Sequence, residues 1–281
     1  MYDQIHRFLF DELSVRGAIV RLDEALARNL RSQDYPAPIA RLLTDATTAV
    51  GLLTTTVKIK GRIGLQFQSQ GPIRLLLAEC TDDLGVRSVA QYATEVQEGD
   101  FSALMAQGMM ALSLIPEQGQ QYQGVVPMDG DNLAACIEHY FQQSEQLATR
   151  IFLFSREQRS VGLMIQALPG LSQHEDFHRI VTLAQTLTAD EAFELPVETM
   201  LHRLYHEEQV RLFEPAAVRF QCRCSKERCQ SSLRTLAIAE LEDMLATDQG
   251  ANMTCDFCSE TYRFNAADIQ QLLQEKQSQT H

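Results

Sequence analysis

Five cysteines near the carboxyl end constrain this chain more than any other feature. They fall as Cys222-x-Cys224, Cys229 and Cys255-x-x-Cys258 in the stretch from Phe220 to Phe264. Two close pairs separated by an insert of helix length are the donor arrangement of a tetrahedral zinc site. Each pair meets the metal from a tight turn, and the insert returns the second turn to the first. Four thiolates close the shell and leave no open position for a substrate. Between the pairs, Leu233, Leu236, Ala237, Leu241, Met244 and Leu245 mark one helix face, with Glu240, Glu242 and Asp243 opposite. A segment of roughly 60 residues encloses a small core, so the metal contributes on the order of 10 kcal/mol to its folding.

Two readings of the cluster follow. One is a purely structural zinc module. The other is a redox switch, because zinc holds the sulfurs as thiolates, the form that oxidants attack. The one-residue gap of Cys222-x-Cys224 is the unusual half, since a disulfide across it closes a strained small ring. Cys229 reads as an ordinary fifth cysteine or a spare thiol. Cys80 ends an apolar strand and Cys136 sits on an apolar helix face, so both read as packing residues.

The charge balance narrows the partners. A formal net charge of -13 argues against nucleic acid, whose phosphates need clustered Lys and Arg. The opening MYDQIHRFLFDEL lacks a basic stretch followed by a long apolar run, so neither a signal peptide nor a membrane span is expected. Seven cysteines in such a chain read as reduced thiols in the cytosol.

The expected fold class is α+β: an N-terminal mixed α/β domain with hairpins over residues 1–170, a helical linker over 171–219 and a small C-terminal zinc-binding domain over 220–281. Strands are expected at Arg7–Phe10, Val15–Leu22, Val57–Ile59 with Ile63–Phe67, and Ile73–Leu77. Hairpins are expected for Met109–Ile115 with Tyr122–Val126 and for Ile151–Phe154 with Val161–Leu168. Helices follow Asp23, Pro36-x-Pro38 and Asp131. After Gly170 the strand pattern all but vanishes, and two capping boxes appear, Ser172-x-x-Glu175 and Thr188-x-x-Glu191. The helices they lead carry Phe177, Ile180, Val181, Ala184 and Leu187, then Met200, Leu201, Leu204 and Tyr205, on one face each. Such short amphipathic helices are unstable alone in water and must dock.

A rival motif, His174-Glu175-Asp176-Phe177-His178, matches the H-E-x-x-H of zinc metalloproteases, with His202 and His206 four residues apart further on. It lies one turn from a helix start on a charged face and specifies no further ligand, Glu194 and Glu198 being two of many acids. The match is weak. A zinc-ribbon module for nucleic acid or protein is the other alternative, although residues 215–281 show no basic stripe.

Several words of the sequence occur together in one family. C-x-C, a helix-length gap and C-x-x-C follow Leu204-Tyr205-His206-Glu207-Glu208 and Val210-Arg211-Leu212-Phe213-Glu214-Pro215, and lead off as Cys222-Arg223-Cys224-Ser225. Upstream stand Tyr140-Phe141-x-Gln143-Ser144-Glu145-Gln146-Leu147 and Arg16-Gly17. Over nearly its whole length the chain resembles the thirty-three-kilodalton heat-shock protein family of redox-regulated, ATP-independent holdase chaperones. The resemblance implies one zinc ion per reduced chain, held by Cys222, Cys224, Cys255 and Cys258. It implies that oxidation joins Cys222 to Cys224 and Cys255 to Cys258, releases the metal and unfolds the linker. The active form is then a homodimer that holds unfolding client proteins under oxidative stress. Melting exposes apolar faces while net charge keeps the opened chain soluble, so Phe177, Ile180, Val181, Met200, Leu201 and Leu204 are the expected client contacts.

Overall fold

A computed structural model describes residues 3–31, 33–168, 174–247 and 250–279. Packing divides the chain into two units, Met1–Gln221 and Cys222–His281. The first unit is built on two antiparallel sheets. One contains β1 (Gln4–Phe10), β2 (Val15–Leu22), β8 (Thr149–Arg156) and β9 (Arg159–Ala167). The other contains β3 (Gly61–Gln68), β4 (Ile73–Thr81), β5 (Gly85–Tyr92), β6 (Met109–Pro116) and β7 (Tyr122–Pro127). Three short strands late in the unit complete the sheets: β10 (Val210–Leu212) and β11 (Ala216–Ala217) antiparallel to β1, and β12 (Arg219–Phe220) parallel to β5. The orders are β10-β1-β2-β9-β8, with β11 also on β1, and β12-β5-β4-β3-β6-β7.

Helix α1 (Glu24–Leu30) leads into α2 (Ala37–Thr54), which packs on both sheets. That position explains its sequence. The run Ala46-Thr47-Thr48-Ala49-Val50-Gly51-Leu52-Leu53 is apolar or small all round, as a helix covered on every side requires. Its hydroxyls are satisfied inside the core: Thr47 Oγ1 donates to the Leu43 carbonyl at 2.6 Å, and Thr48 Oγ1 bonds Ser160 Oγ at 2.6 Å. Two smaller helices, α3 (Phe101–Leu104) and α4 (Leu133–Tyr140), the latter continued by a π turn over Phe141–Glu145, complete the body of the unit.

The first sheet is covered twice. Ala18, Val20 and Leu22 of β2 face the core around α2, whereas Val15 and Ile19 face a second cluster under α5 (His174–Ala184), α6 (Ala189–Glu194) and α7 (Val197–Tyr205). Strands β2 and β9 are therefore apolar on both faces and read as nearly continuous hydrophobic runs.

Most expected elements are present, with instructive differences. Residues 57–59 form no strand; β3 starts at Gly61, whose φ of +143° suits glycine, and a Cβ there meets the Ile115 carbonyl oxygen at 2.3 Å. Strand β5 was not expected, because Arg87, Ser88 and Gln91 interrupt its apolar pattern. Asp23 does not cap α1 with its side chain. The Asp3 carboxylate does so from a distance in sequence, accepting from the amides of Asp23, Glu24 and Ala25. Asn132 rather than Asp131 caps α4, accepting from Ala135 N at 2.9 Å. The Thr188 box forms with Glu191, while Ser172 lies outside the described residues. Residues 171–219, where almost no strand pattern is expected, contribute β10, β11 and the start of β12, which are too short to show alternation.

The second unit holds α8 (Lys226–Leu233), α9 (Ile238–Thr247), a hairpin of β13 (Gly250–Thr254) and β14 (Thr261–Asn265), and α10 (Ala266–Gln279). The insert between the cysteine pairs is thus two helices, broken after Leu233. Among the described residues no helix is long and apolar enough to cross a membrane.

Candidate metal centre and the helical layer

Local chemistry builds each half of the cysteine cluster. After Cys222-x-Cys224, Ser225 takes an extended backbone and its hydroxyl accepts from Arg228 N at 3.3 Å, so α8 starts immediately behind the pair. Cys255 and Cys258 sit at the turn of the β13–β14 hairpin. There Cys255 N donates to the Glu260 carbonyl at 2.9 Å and Ser259 N donates to the Cys255 carbonyl at 2.8 Å. Ser259 closes the turn at a φ of +57°, and the main chain wraps the two sulfurs.

The four sulfurs of Cys222, Cys224, Cys255 and Cys258 all lie within 4.8 Å of one another. Sγ–Sγ separations are 3.4 Å for Cys222 with Cys224, 3.6 Å for Cys222 with Cys255 and 3.3 Å for Cys224 with Cys258. A regular tetrahedron with metal–sulfur bonds of about 2.3 Å has edges of about 3.8 Å, so the set fits a four-coordinate zinc ion. Among the described residues no other group of three or more His, Cys, Asp or Glu side chains converges in this way. The electrostatics fit as well. Burial opposes ionisation of Cys222, but the Cys224 amide and the neighbouring sulfurs outweigh it and bring the thiol down to about 7. Burial raises Cys255 and Cys258, and at Cys258 the adjoining sulfurs also resist further negative charge. A dication is what allows all four to ionise together.

Tyr262 was invisible as a participant. Its hydroxyl donates to Cys224 Sγ at 3.2 Å from β14, and no cysteine spacing points to it. Cys229, on α8, stands outside the foursome and packs against the small core of the unit. Cys80 and Cys136 are buried, and burial pushes their thiols up to about 12 and about 11. Both are packing residues, as their positions in the sequence imply. Of the H-E-x-x-H motif, His178 is exposed on α5 and its Nδ1 lies 3.5 Å from Thr182 Oγ1; the His174 side chain lies outside the described residues.

The helical layer accounts for the other expected residues. Ile180, Val181, Met200, Leu201 and Leu204 are buried in the cluster between α5–α7 and the first sheet, and Phe177 packs on its margin. Phe193 and Tyr205 join them, with the Tyr205 ring edge-on to Phe10 at 5.0 Å between centroids. Gly17 makes the close packing possible: a Cβ there meets Phe8 Cζ at 2.1 Å. Full burial of each large side chain is worth about 1.5–3 kcal/mol, so the layer is held chiefly by apolar contact. Arg21 adds a polar anchor, donating to the carbonyls of Ala192 at 2.9 Å and Leu195 at 2.6 Å. An arginine in the apolar run Val15–Leu22 was the one available hint of it.

Comparison with known proteins converges on one family. The model of the Hsp33 protein family matches residues 3–265. A 33 kDa chaperonin of Shewanella denitrificans is 42% identical over 269 residues, spanning 95% of this chain and 93% of its own. A 33 kDa chaperonin of Enterobacter sp. is 40% identical over 277 residues, with 96% and 95% covered. The fold is that of the 33 kDa chaperonin of Thermotoga maritima, which superposes with a TM-score of 0.87 at 22% identity over 99% of this chain and 100% of that one.

Proposed function

The chain belongs to the Hsp33 family of chaperones, and on that premise we propose that it is a redox-regulated, ATP-independent holdase whose trigger is the cysteine cluster. The observation that carries this reading is the gathering of four sulfurs within 4.8 Å at the chain position directly after the first unit ends. In the reduced protein Cys222, Cys224, Cys255 and Cys258 hold one zinc ion, which keeps their sulfurs as thiolates and contributes most of the folding free energy of residues 222–279.

A peroxide-class oxidant takes two electrons from each pair. Two thiolates become one disulfide, and one hydrogen peroxide with two protons becomes two water molecules. Neighbour pairing, Cys222 with Cys224 and Cys255 with Cys258, is favoured once the unit loosens. Those partners stay within a few residues of each other, whereas cross pairs must close loops of some thirty residues. The paired sulfurs no longer bind the metal, and the second unit melts with a core too small to stand alone.

The layer α5–α7 then leaves the first sheet and exposes Phe177, Ile180, Val181, Met200, Leu201 and Leu204 to clients. This makes residues 171–219 a functional linker, although its helices α5–α7 pack on the first sheet in the resting state. The released faces favour a homodimer and capture of unfolding proteins, while the chain's charge of -13 resists aggregation of the opened form. A reducing cytoplasm fits a switch of thiols.

The test is aggregation of a chemically unfolded protein with reduced or peroxide-treated chain, zinc release being followed in the same sample. Suppression that rises with zinc release supports the proposal. Equal suppression by the reduced, zinc-loaded chain leaves a structural zinc module.

A further inference from the structure

One group in the first unit is buried in a way the redox switch does not use. His6 lies on the face of β1 that carries Phe8 and Phe10, opposite Ile19 of β2, and is therefore directed at the helical layer. The side chain is 7% exposed, and its Nδ1 is buried without a hydrogen-bond partner among the described residues. Arg21, on the same face of β2, is 8% exposed and holds the carboxyl end of α6 through the Ala192 and Leu195 carbonyls. We propose that His6 and Arg21 form an acid-sensitive latch: protonation of His6 beside the buried guanidinium weakens the docking of α6 and α7 on the first sheet without oxidation of any cysteine.

The charges around His6 decide the sign. From β2 comes Arg21, which opposes a second positive charge. From α7 comes Glu198, which favours one, but this carboxylate is exposed and water weakens its pull. From α6 come backbone carbonyls already engaged by Arg21, while its acids Asp190, Glu191 and Glu194 pair with Arg156, Arg203 and Arg156. Strand β11 beside β1 brings only Ala216 and Ala217. Burial is the largest influence and, with Arg21, it holds the imidazole below its ordinary value of 6.5. The undocked state therefore binds the proton more tightly than the docked one. Docking is strongest above pH 6.5 and weakens as pH falls below that value. One linked proton changes the docking equilibrium by at most tenfold per pH unit.

The effect on client holding rests on the proposed function, but the latch does not. Its test is hydrogen exchange of residues 189–205 in the reduced, zinc-loaded full chain at pH 7.5 and 5.5, corrected for intrinsic exchange, with zinc content measured in both samples. Protection should fall, by at most about tenfold, between the two pH values while residues 61–116 stay unchanged. In His6→Gln the pH dependence should vanish with protection at pH 7.5 retained. Any loss of metal at the lower pH would affect both proteins alike, so an equal fall in the variant overturns the latch. Should His6→Gln fail to dock the layer, NMR titration of the His6 ring in the native chain decides: an imidazole titrating at or above 6.5 overturns the proposal. None of these readouts involves an oxidant or a client, so a failed redox switch and a failed latch are distinguishable.

Discussion

The helical layer of the first unit and the whole of the second unit are held by different means. The layer shares with the first sheet a cluster of eighteen buried apolar residues among those described. The second unit has six, Leu233, Leu241, Phe264, Ile269, Leu272 and Leu273. The lesson is a division of labour. Residues 222–279 enclose a small apolar core, which suits the proposed role of a sensor whose fold depends on its metal. Residues 174–205 have the apolar surface but consist of short helices that need a docking partner, which suits the proposed role of a cargo-binding surface held in reserve.

The comparison can be broken first at the metal. Replacing Cys255 and Cys258 by serine removes a contribution on the order of 10 kcal/mol. Amide resonances of residues 222–279 should collapse to unfolded positions while those of β1–β9 keep their dispersion. A folded second unit in that variant would show that its six-residue core suffices.

Phe193→Ala should do the converse. The ring is buried in the layer with Arg156 stacked 4.9 Å above it, and its loss should cost about 3–5 kcal/mol. Exchange protection should drop over residues 174–205, and zinc affinity should fall with it, because coupling between the layer and the metal is reciprocal.

Asp45, on α2, offers a pH handle confined to the first unit. Burial, only partly offset by Arg41, raises its carboxyl to about 7 from 3.8. A raised carboxylate means that the fold prefers the protonated form, so stability is lost as pH rises through about 7. Asp45→Asn should abolish the fall in unfolding temperature of the first unit between pH 6 and pH 8. The gain at pH 8 should be on the order of 2 kcal/mol.

The smallest effect concerns the cap of α6. Thr188→Ala removes a hydroxyl that accepts from Glu191 N at 3.3 Å, and should cost the layer about 1 kcal/mol. Differential hydrogen exchange across residues 186–195 should resolve it.

Much of this was legible in the sequence because the signals are local. The spacing of Cys222, Cys224, Cys255 and Cys258 specifies a tetrahedral set whatever the rest of the fold. The faces of α5 and α7 follow from helical period, and Thr188 with Glu191 forms the box its sequence predicts. What escaped depends on distant partners. Asp3 caps α1 from about twenty residues upstream, Arg21 reaches carbonyls some 170 residues on, and Tyr262 meets Cys224 only through the hairpin. Strand β5 hid behind Arg87, whose charge is neutralised by Glu79 on the neighbouring β4 at 2.7 Å. No window of sequence shows such a pair.

The central claim is that loss of the cysteine-held metal undoes the helical layer. Hydrogen exchange of the full chain, reduced with zinc and then oxidised with peroxide, tests it most directly. Residues 174–205 and 222–279 should lose protection together, while β2 and β9 beneath the layer keep theirs. Persistent protection of residues 174–205 after zinc has left and both disulfides have formed would contradict it.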